Sequence, residues 1–251
     1  MNKILPAVMA LCFAFASNSC KKGNTGPAGP AGPSFVGAIK GFVTVYDQYG
    51  NTSSASLTNV QLTLKGGRTK NADANGYFIF DSVVTGTYHI TASGAGLATT
   101  LANNIGLVKD TFFQGIKLSA TPTFNLSTFD VYHNPGSEFD SVVINVPSDT
   151  RARNLIVFVN KTPDVGNTPG HYVMRIVKPI PIGGPWTPTT KIMFRIHASE
   201  FNSANIFYGE QTYFAAYSYV VNDASVYTDP ATGKDVYNAV GTALIDSQMA
   251  P

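Results

Sequence analysis

Residues that could carry acid–base or metal chemistry are few in this sequence and widely separated. The four histidines have none of the i,i+2 or i,i+4 spacings that commonly build a metal site; they are His89, His133, His171 and His197. Glutamate occurs only at Glu138, Glu200 and Glu210. The sequence contains no nucleophile elbow, zinc-protease motif or phosphate-binding loop. We therefore expect a protein that is not an enzyme and that has no metal or cofactor.

The carboxylates leave two alternatives open. Cleavage of a glycoside needs two carboxyl groups that face one cleft, and the fold would have to assemble such a pair, for example Asp140 with Glu200. A polar segment near the C-terminus contains Asp223, Asp229 and Asp235, whose oxygens are of the type that binds Ca²⁺. Asp-Pro and Thr-Gly pairs in the same segment are typical of turns. A pair of turns is therefore the preferred interpretation, and stability should not depend on divalent ions.

A second acidic motif lies nearer the N-terminus, in the tetrapeptide Asp73-Ala74-Asn75-Gly76. It begins like a calcium loop, but the later ligands and the closing Glu of an EF-hand are missing. Asn-Gly between two apolar runs is the signature of a two-residue hairpin. The motif therefore predicts a tight hairpin turn.

Three aromatic residues in loop-like surroundings are candidates for ligand contact. Trp186 is the only tryptophan, and Tyr208 and Tyr227 also lie between predicted strands. Exposed rings of this kind can stack on sugars, whereas the alternative is packing within the loops. They are the candidate ligand-contact residues of a polysaccharide-binding protein.

The composition indicates which elements must position these residues. Of 251 residues, 13% are charged and 44% are hydrophobic, and the formal net charge is +2. So low a charge excludes a self-repelling disordered chain and gives no reason to expect nucleic acid as a partner. The 16 Phe and 12 Tyr favour strands, and the 23 Gly and 15 Pro favour turns. We expect an all-β protein.

The N-terminus predicts export and attachment to a membrane. A short basic segment precedes a 13-residue apolar run, Ile4–Ala16, which is shorter than the ~20 residues that span a bilayer. Ser17-Asn18-Ser19-Cys20 follows, and Cys20 is the only cysteine outside the apolar run. This segment resembles the signal of Gram-negative bacterial lipoproteins, with Ser17 in place of the usual Leu.

The resemblance implies that residues 1–19 are removed and that Cys20 is acylated. It places the protein at the outer membrane, anchored through lipid, on the periplasmic or the cell-surface face. Cleavage after Ala16 or Ser19 without acylation, which would leave a soluble secreted protein, is the alternative.

Residues 20–34 form a Gly-Pro-rich spacer. Glycine recurs every third residue at Gly23, Gly26, Gly29 and Gly32, as in collagen. The simplest interpretation is a stiff polyproline-II stalk, although a trimer held by this short repeat is an alternative.

Residues 35–120 have the alternation of a β-sandwich. The predicted strands are Gly37–Tyr46, Val60–Lys65, Arg68–Ala72, Tyr77–Ser82, Thr87–Ser93, Ala98–Ile105 and Thr111–Leu118. Alternating apolar residues, as in Leu62/Leu64 and Phe78/Phe80, predict one buried face on each strand.

This region resembles the carboxypeptidase regulatory-like domain, a transthyretin-like sandwich. The motifs that carry the resemblance are Asp47 with Gly50, the strand Val60/Leu62/Leu64, Asp73-x-Asn75-Gly76 before Phe78-x-Phe80, and Gly86-x-Tyr88-x-Ile90. The family contributes no catalytic residues, so the resemblance implies a fold and not an activity.

Residues 121–251 are predicted to form a second sandwich of the fibronectin type III or immunoglobulin-like kind. Its predicted strands are Leu126–His133, Ser141–Val146, Leu155–Asn160, Tyr172–Val177, Lys191–Ile196, Thr212–Val221 and Val236–Leu244. Gly209 to Tyr217 is similar to the entry to the sixth fibronectin strand, which makes Tyr213 the candidate for a tyrosine corner.

These patterns together predict a non-catalytic cell-envelope lipoprotein that acts as a structural, adhesive or accessory binding module. Its partners would be the membrane, through the N-terminal lipid, and an envelope protein or glycan. The alternative is a polysaccharide-binding surface lipoprotein that uses its loop aromatics.

Overall fold

The computed structural model describes residues 35–53, 57–133, 136–183 and 188–251. The predicted signal segment 1–19, the acylation site Cys20, the 20–34 spacer and Trp186 lie outside these ranges. Within the described ranges, no helix combines the length and the apolar composition that crossing a membrane requires.

Residues 35–120 form two facing β-sheets. In chain order the strands are β1 (Val36–Tyr46), β2 (Thr52–Ser53), β3 (Gln61–Leu64), β4 (Arg68–Asn71), β5 (Tyr77–Val84), β6 (Gly86–Gly94), β7 (Leu97–Leu107), β8 (Thr111–Phe113) and β9 (Ile116–Ser119), with a 3₁₀ turn at Leu57–Asn59. One sheet has the order β2-β1-β5, and β8 and β9 pair in parallel with β1. The other has the order β4-β3-β6-β7.

Alternation along the strands builds the core of this first sandwich. Ile39, Val43 and Val45 of β1 point inward, and they meet Leu62 of β3 and Phe80 of β5. Full burial of such a side chain stabilises the fold by roughly 1.5–3 kcal/mol. The predicted buried faces are therefore confirmed.

Residues 124–251 form a second sandwich. Its elements are β10 (Thr128–His133), β11 (Phe139–Pro147), β12 (Arg153–Asn160), β13 (Met174–Ile180), β14 (Thr189–His197), α1 (Ala198–Ser203), β15 (Gln211–Tyr219), β16 (Tyr227–Thr228), β17 (Asp235–Val236) and β18 (Leu244–Met249). The sheet β10-β11-β14 faces the sheet β13-β12-β15-β18. The two sheets form a β-sandwich, as the sequence predicts, and its core lies between them.

A second apolar layer covers the outer face of the sheet β13-β12-β15-β18. Phe158 and Tyr217 on that face pack against Tyr237, which belongs to residues 220–243, here called the covering segment. Asn167, in the loop between β12 and β13, forms two hydrogen bonds with the backbone of Tyr237. Its carbonyl accepts the N–H of Tyr237 at 3.2 Å, and its side-chain amide donates to the carbonyl of Tyr237 at 2.8 Å. The covering segment therefore closes a small core of its own.

The covering segment also joins the two sandwiches. Ser225 Oγ accepts a hydrogen bond from the backbone N–H of Ser119 (2.6 Å), and Ser119 Oγ donates to the carbonyl of Asn222 (2.8 Å). Ala98 of β7 is buried within the cluster that contains Tyr219 and Tyr237. Both serines are fully buried, so these contacts lie inside the protein.

The prediction that the last strand runs over Val236–Leu244 is wrong. The strand at the sheet edge is β18, and the residues before it lie across the outer face, where Tyr237 and Ala239 are buried. Apolar residues at alternate positions are compatible with either arrangement, because both bury one side of an extended chain.

The two-residue hairpin predicted at Asp73–Gly76 is also wrong. The strands on either side of it, β4 and β5, belong to opposite sheets, so the turn crosses from one layer to the other. Asp73 Oδ1 accepts the backbone N–H groups of Asn75 and Tyr77, each at 2.8 Å. The carboxylate therefore stabilises the crossing turn.

The tyrosine-corner prediction for Tyr213 is not supported by its contacts. Tyr213 lies within β15, opposite Asn160 and Ser247, and packs partly buried against the outer layer. A hydrogen bond of the tyrosine-corner kind occurs in the first sandwich instead, where the Tyr88 hydroxyl donates to the carbonyl of Val84 at 2.6 Å.

Candidate functional site

A row of three aromatic rings, of which two are exposed, crosses the outer side of the first sandwich. Phe42 on β1 lies between Tyr77 on β5 and Phe113 on β8, with ring centroids 5.4 and 5.9 Å from the ring of Phe42. Phe42 is 45% exposed and Phe113 57% exposed, and Ile79 beside them is 38% exposed. We call Phe42, Tyr77, Ile79 and Phe113 the aromatic face.

Strand pairing assembles this face from three separate segments. Phe42 is opposite Tyr77, while Lys40, two residues earlier on β1, is opposite both Ile79 and Phe113. Residues at i and i+2 of a strand share one side of the sheet. All five side chains therefore lie on the outer side, because the buried residues of β1 occupy the alternate positions.

The corresponding outer side of the second sandwich carries a mixture of polar and apolar residues. Its polar residues are Thr128, Asp130, Ser141, Asn145, Lys191 and Arg195, and its apolar residues include Tyr132, Phe139, Val143 and Met193. The Arg195 guanidinium lies over the Phe139 ring, 4.2 Å from its centroid. An outward sheet side normally carries such residues. The aromatic face differs in that three aromatic rings contact one another there and two of them, Phe42 and Phe113, are about half exposed.

The sequence analysis did not identify the aromatic face, although one signal was present. In Gly37–Tyr46 the apolar residues Ile39, Val43 and Val45 have odd numbers, so Phe42 is out of phase with them. Phe78 and Phe80 on β5 likewise leave Tyr77 and Ile79 on the opposite side. That these out-of-phase residues meet Phe113 depends on the pairing of β1 with β8.

Tyr208, a predicted contact residue, lies at a different place. It precedes β15 next to the C-terminal residues, where Gly209 N–H donates to the carbonyl of Ala250. The side chain is 84% exposed, and its neighbour Phe207 is also exposed. Lys161 lies over the Phe207 ring and forms an ion pair with Glu210 at 2.8 Å.

Tyr227, the second predicted contact residue, lies where the covering segment meets the first sandwich. It lines a cleft of about 500 Å³ together with Leu101 and Asn103 of β7. Asn103 donates a side-chain hydrogen bond to the carbonyl of Thr228 across this cleft, at 3.0 Å. The structure thus places Tyr208 and Tyr227 on separate surfaces, and Trp186 lies outside the described residues.

Two aspartates of the covering segment accept hydrogen bonds from residues close to them in the sequence. Asp229 accepts hydrogen bonds from the hydroxyl and the backbone N–H of Thr232, at 2.6 and 3.2 Å, and these contacts lower the pKa of Asp229. Asp235 accepts from the hydroxyls of Thr228 (3.1 Å) and Tyr237 (3.3 Å). Across the described ranges, no three His, Cys, Asp or Glu side chains are close enough to hold a metal ion.

Asp140 and Glu200, which the sequence left open as a carboxylate pair, have separate roles. Asp140 is fully buried and contacts His133 Nδ1 at 3.0 Å, and burial raises the pKa of this carboxyl. Glu200 accepts the backbone N–H of His197 (2.9 Å) at the start of α1, as in a capping box. Asp140 thus contacts a histidine on the neighbouring strand β10, whereas Glu200 caps the start of its own helix.

Comparisons with known proteins give only remote similarities. No protein-family model and no curated protein matches the chain. A Bacteroides uniformis protein proposed to bind carbohydrate is 13% identical with a TM-score of 0.29, and the alignment covers 84% of this chain and 99% of the other. A DUF3823 family protein from the same species is 13% identical with a TM-score of 0.29, covering 87% and 100%.

The major pilin SpaD from Corynebacterium diphtheriae is 14% identical with a TM-score of 0.27, covering 84% of this chain and 65% of the pilin. Similarity at this level carries no argument about function.

Proposed function

We propose that this chain is a non-catalytic binding module of the bacterial cell envelope, and that the aromatic face is its contact surface. The observation that carries the proposal is the exposure of Phe42 and Phe113 on an outward sheet side. Contiguous exposed apolar groups on a soluble domain mark interaction sites, because leaving them in water costs free energy that binding recovers.

The engagement of the acidic side chains supports a non-catalytic role. Asp229, Asp235 and Glu200 each accept hydrogen bonds from their own turn or helix end, and Glu210 pairs with Lys161. Carboxylates held this way are ordinary structural acceptors. A catalytic pair would instead face a shared cleft.

Attachment to the outer membrane through acylated Cys20 is part of the proposal, as is the transthyretin-like character of the first sandwich. A lipoprotein cysteine of this kind would carry a thioether-linked diacylglycerol and an N-terminal acyl chain, and these three chains would exceed the two membrane signals that stable anchoring requires. The spacer 20–34 would hold the sandwiches away from the lipid surface, on the periplasmic or the cell-surface side.

The anchor is tested by replacing Cys20 with Ala and fractionating the cells. We expect wild type in the membrane fraction with an acylated N-terminal mass, and the Cys20→Ala protein in the soluble fraction. An unmodified wild-type N-terminus, or a variant that still sediments with membranes, would contradict this part of the proposal.

The contact surface is tested by co-sedimentation of the full-length protein, in detergent, with delipidated cell envelopes. We expect Phe42→Thr/Phe113→Thr to reduce the bound fraction at least tenfold, because Thr keeps the strand but removes both rings. The matched control Tyr132→Thr/Met193→Thr changes two exposed residues on the other sandwich and should bind like wild type. Equal binding by all three proteins would overturn the proposal.

A further inference from the structure

We infer that the ligand of the aromatic face is a polysaccharide chain that lies across β8, β1 and β5; this inference rests on the proposed function. Its basis is the chemistry of the face. Three of its four members are aromatic, and their rings form one continuous row with neighbouring centroids 5.4 and 5.9 Å apart. A sugar ring presents a face of C–H groups to an aromatic ring, so stacking removes both from water.

The dimensions of the row fit a narrow, extended ligand. Adjacent strands lie about 4.8 Å apart, so the outer strands β5 and β8 are about 10 Å from each other. Thr44 on β1 borders the row at one end, and Thr111 on β8, Ala38 on β1 and Asp81 on β5 border it at the other. A narrow apolar strip with Thr44, Thr111 and Asp81 beside it suits a linear polymer that carries hydroxyl groups.

The exposed area argues against a second copy of this chain as the occupant. A fully buried Phe side chain removes about 150–250 Å² from water, and here Phe42 and Phe113 are about half exposed while Tyr77 is partly buried. The strip therefore presents a few hundred Å², whereas a stable protein interface buries about 800 Å² per partner. A single polysaccharide chain can bind to a surface of this size.

Lys40 adds a polar contact within the same surface. It stands between Ile79 and Phe113 in the strand register and two residues from Phe42. Its ammonium group donates up to three hydrogen bonds and accepts none. It can therefore bind hydroxyl or carboxylate oxygens of a sugar that stacks on the adjacent rings.

The inference is tested by affinity electrophoresis of the full-length protein in gels that contain barley β-glucan, xylan, dextran, yeast mannan or polygalacturonate. We expect at least one of these polysaccharides to retard wild type. Phe42→Leu/Phe113→Leu should weaken that binding at least tenfold, because leucine is apolar but has no ring. Phe42→Tyr/Phe113→Tyr should keep it within about threefold, since tyrosine retains the stacking surface.

Two controls make the result specific. Tyr132→Thr/Met193→Thr and Tyr208→Thr alter exposed side chains elsewhere and should migrate like wild type, and every variant is required to keep the melting temperature of wild type within a few degrees. Binding that survives in the leucine variant, or no retardation by any of the five polysaccharides, would overturn the inference.

The two proposals can fail independently. If no polysaccharide binds but envelope co-sedimentation still depends on Phe42 and Phe113, the polysaccharide inference is wrong and the contact surface stands. If envelope co-sedimentation is unchanged in Phe42→Thr/Phe113→Thr, the contact surface is wrong as well.

Discussion

At the scale of single residues, several aspartates act as hydrogen-bond acceptors for the backbone beside them. Asp47 accepts the N–H groups of Tyr49 and Asn51, at 2.9 and 2.8 Å, and Asp73 and Asp229 do the same in their turns. Short polar side chains favour such local bonds, which is why they concentrate in turns. The acidic motifs that resemble calcium loops in sequence therefore have a structural explanation.

Removal of divalent ions should leave the protein's stability unchanged. The carboxylates of Asp229 and Asp235 already have hydroxyl and N–H partners, so no ligand is required to compensate their charge. We expect the melting temperature to be the same with and without EDTA. A decrease of several degrees would show that a bound ion stabilises the folded state.

The buried carboxyl of Asp140 should make stability depend on pH. Burial raises its pKa in the folded state above the ordinary value of 3.8, so the folded protein holds this proton more firmly than the unfolded chain. The free energy of unfolding should therefore fall as the pH rises from about 4 through the raised pKa. The destabilisation by the ionised Asp140 carboxylate is complete at pH values above its raised pKa and absent below pH 3.8.

Urea unfolding of wild type and Asp140→Asn at several pH values between 4 and 8 measures this effect. Asparagine does not titrate, so stability of the variant should improve relative to wild type as the pH rises. A difference that stays constant or changes in the opposite direction would show that the pKa of Asp140 is not raised by burial.

At the scale of elements, the turn between β4 and β5 determines how the two sheets of the first sandwich connect. Gly76 has a φ of +80° and is buried, and its carbonyl accepts the N–H of Val43 at 2.8 Å. A methyl group added at Gly76 would lie 2.5 Å from the carbonyl oxygen of Val43. Only glycine satisfies both the conformation and the close approach.

Gly76→Ala should therefore destabilise the protein more than the same substitution at a glycine that has a similar positive φ but free space for the added methyl group. Gly96 provides the matched control, since its φ is +70° and an added methyl group would meet nothing within 4 Å. Positive φ costs about 1–2 kcal/mol for alanine, and Gly76→Ala adds the clash with β1. Equal free energies of unfolding for the two variants, measured in urea, would refute the steric argument.

At the scale of the whole molecule, the covering segment connects the two cores. Its polar residues Asn222 and Ser225 bind to Ser119 at the end of β9, and Asn238 donates to the carbonyl of Thr99 at 2.9 Å. Buried polar groups must be paired, because their desolvation is otherwise uncompensated. These hydrogen bonds therefore fix the geometry of the junction between the two sandwiches.

Ser225→Ala should weaken this junction measurably. The substitution leaves the N–H of Ser119 without its acceptor in a fully buried position, which costs about 1–3 kcal/mol. Urea unfolding gives the free energy change, and Ser247→Ala, at an exposed position of β18, is the control. A Ser225→Ala protein as stable as the control variant would show that the junction does not contribute to folding.

The sequence by itself was sufficient for the fold class and for most strands. Strand alternation is a local property, since side chains at i and i+2 share a side whatever the neighbouring strand is. Leu62/Leu64 and Phe78/Phe80 therefore identified buried faces without knowledge of the pairing, and the structure confirms them.

Only the tertiary structure decided which surfaces remain open. Phe42, Tyr77 and Phe113 are distant in sequence, and they form one row because β5 and β8 flank β1. Tyr237 is also aromatic, but it is buried because the covering segment folds over the second sandwich. Alternation determines the two sides of a strand, whereas long-range packing determines which side water reaches.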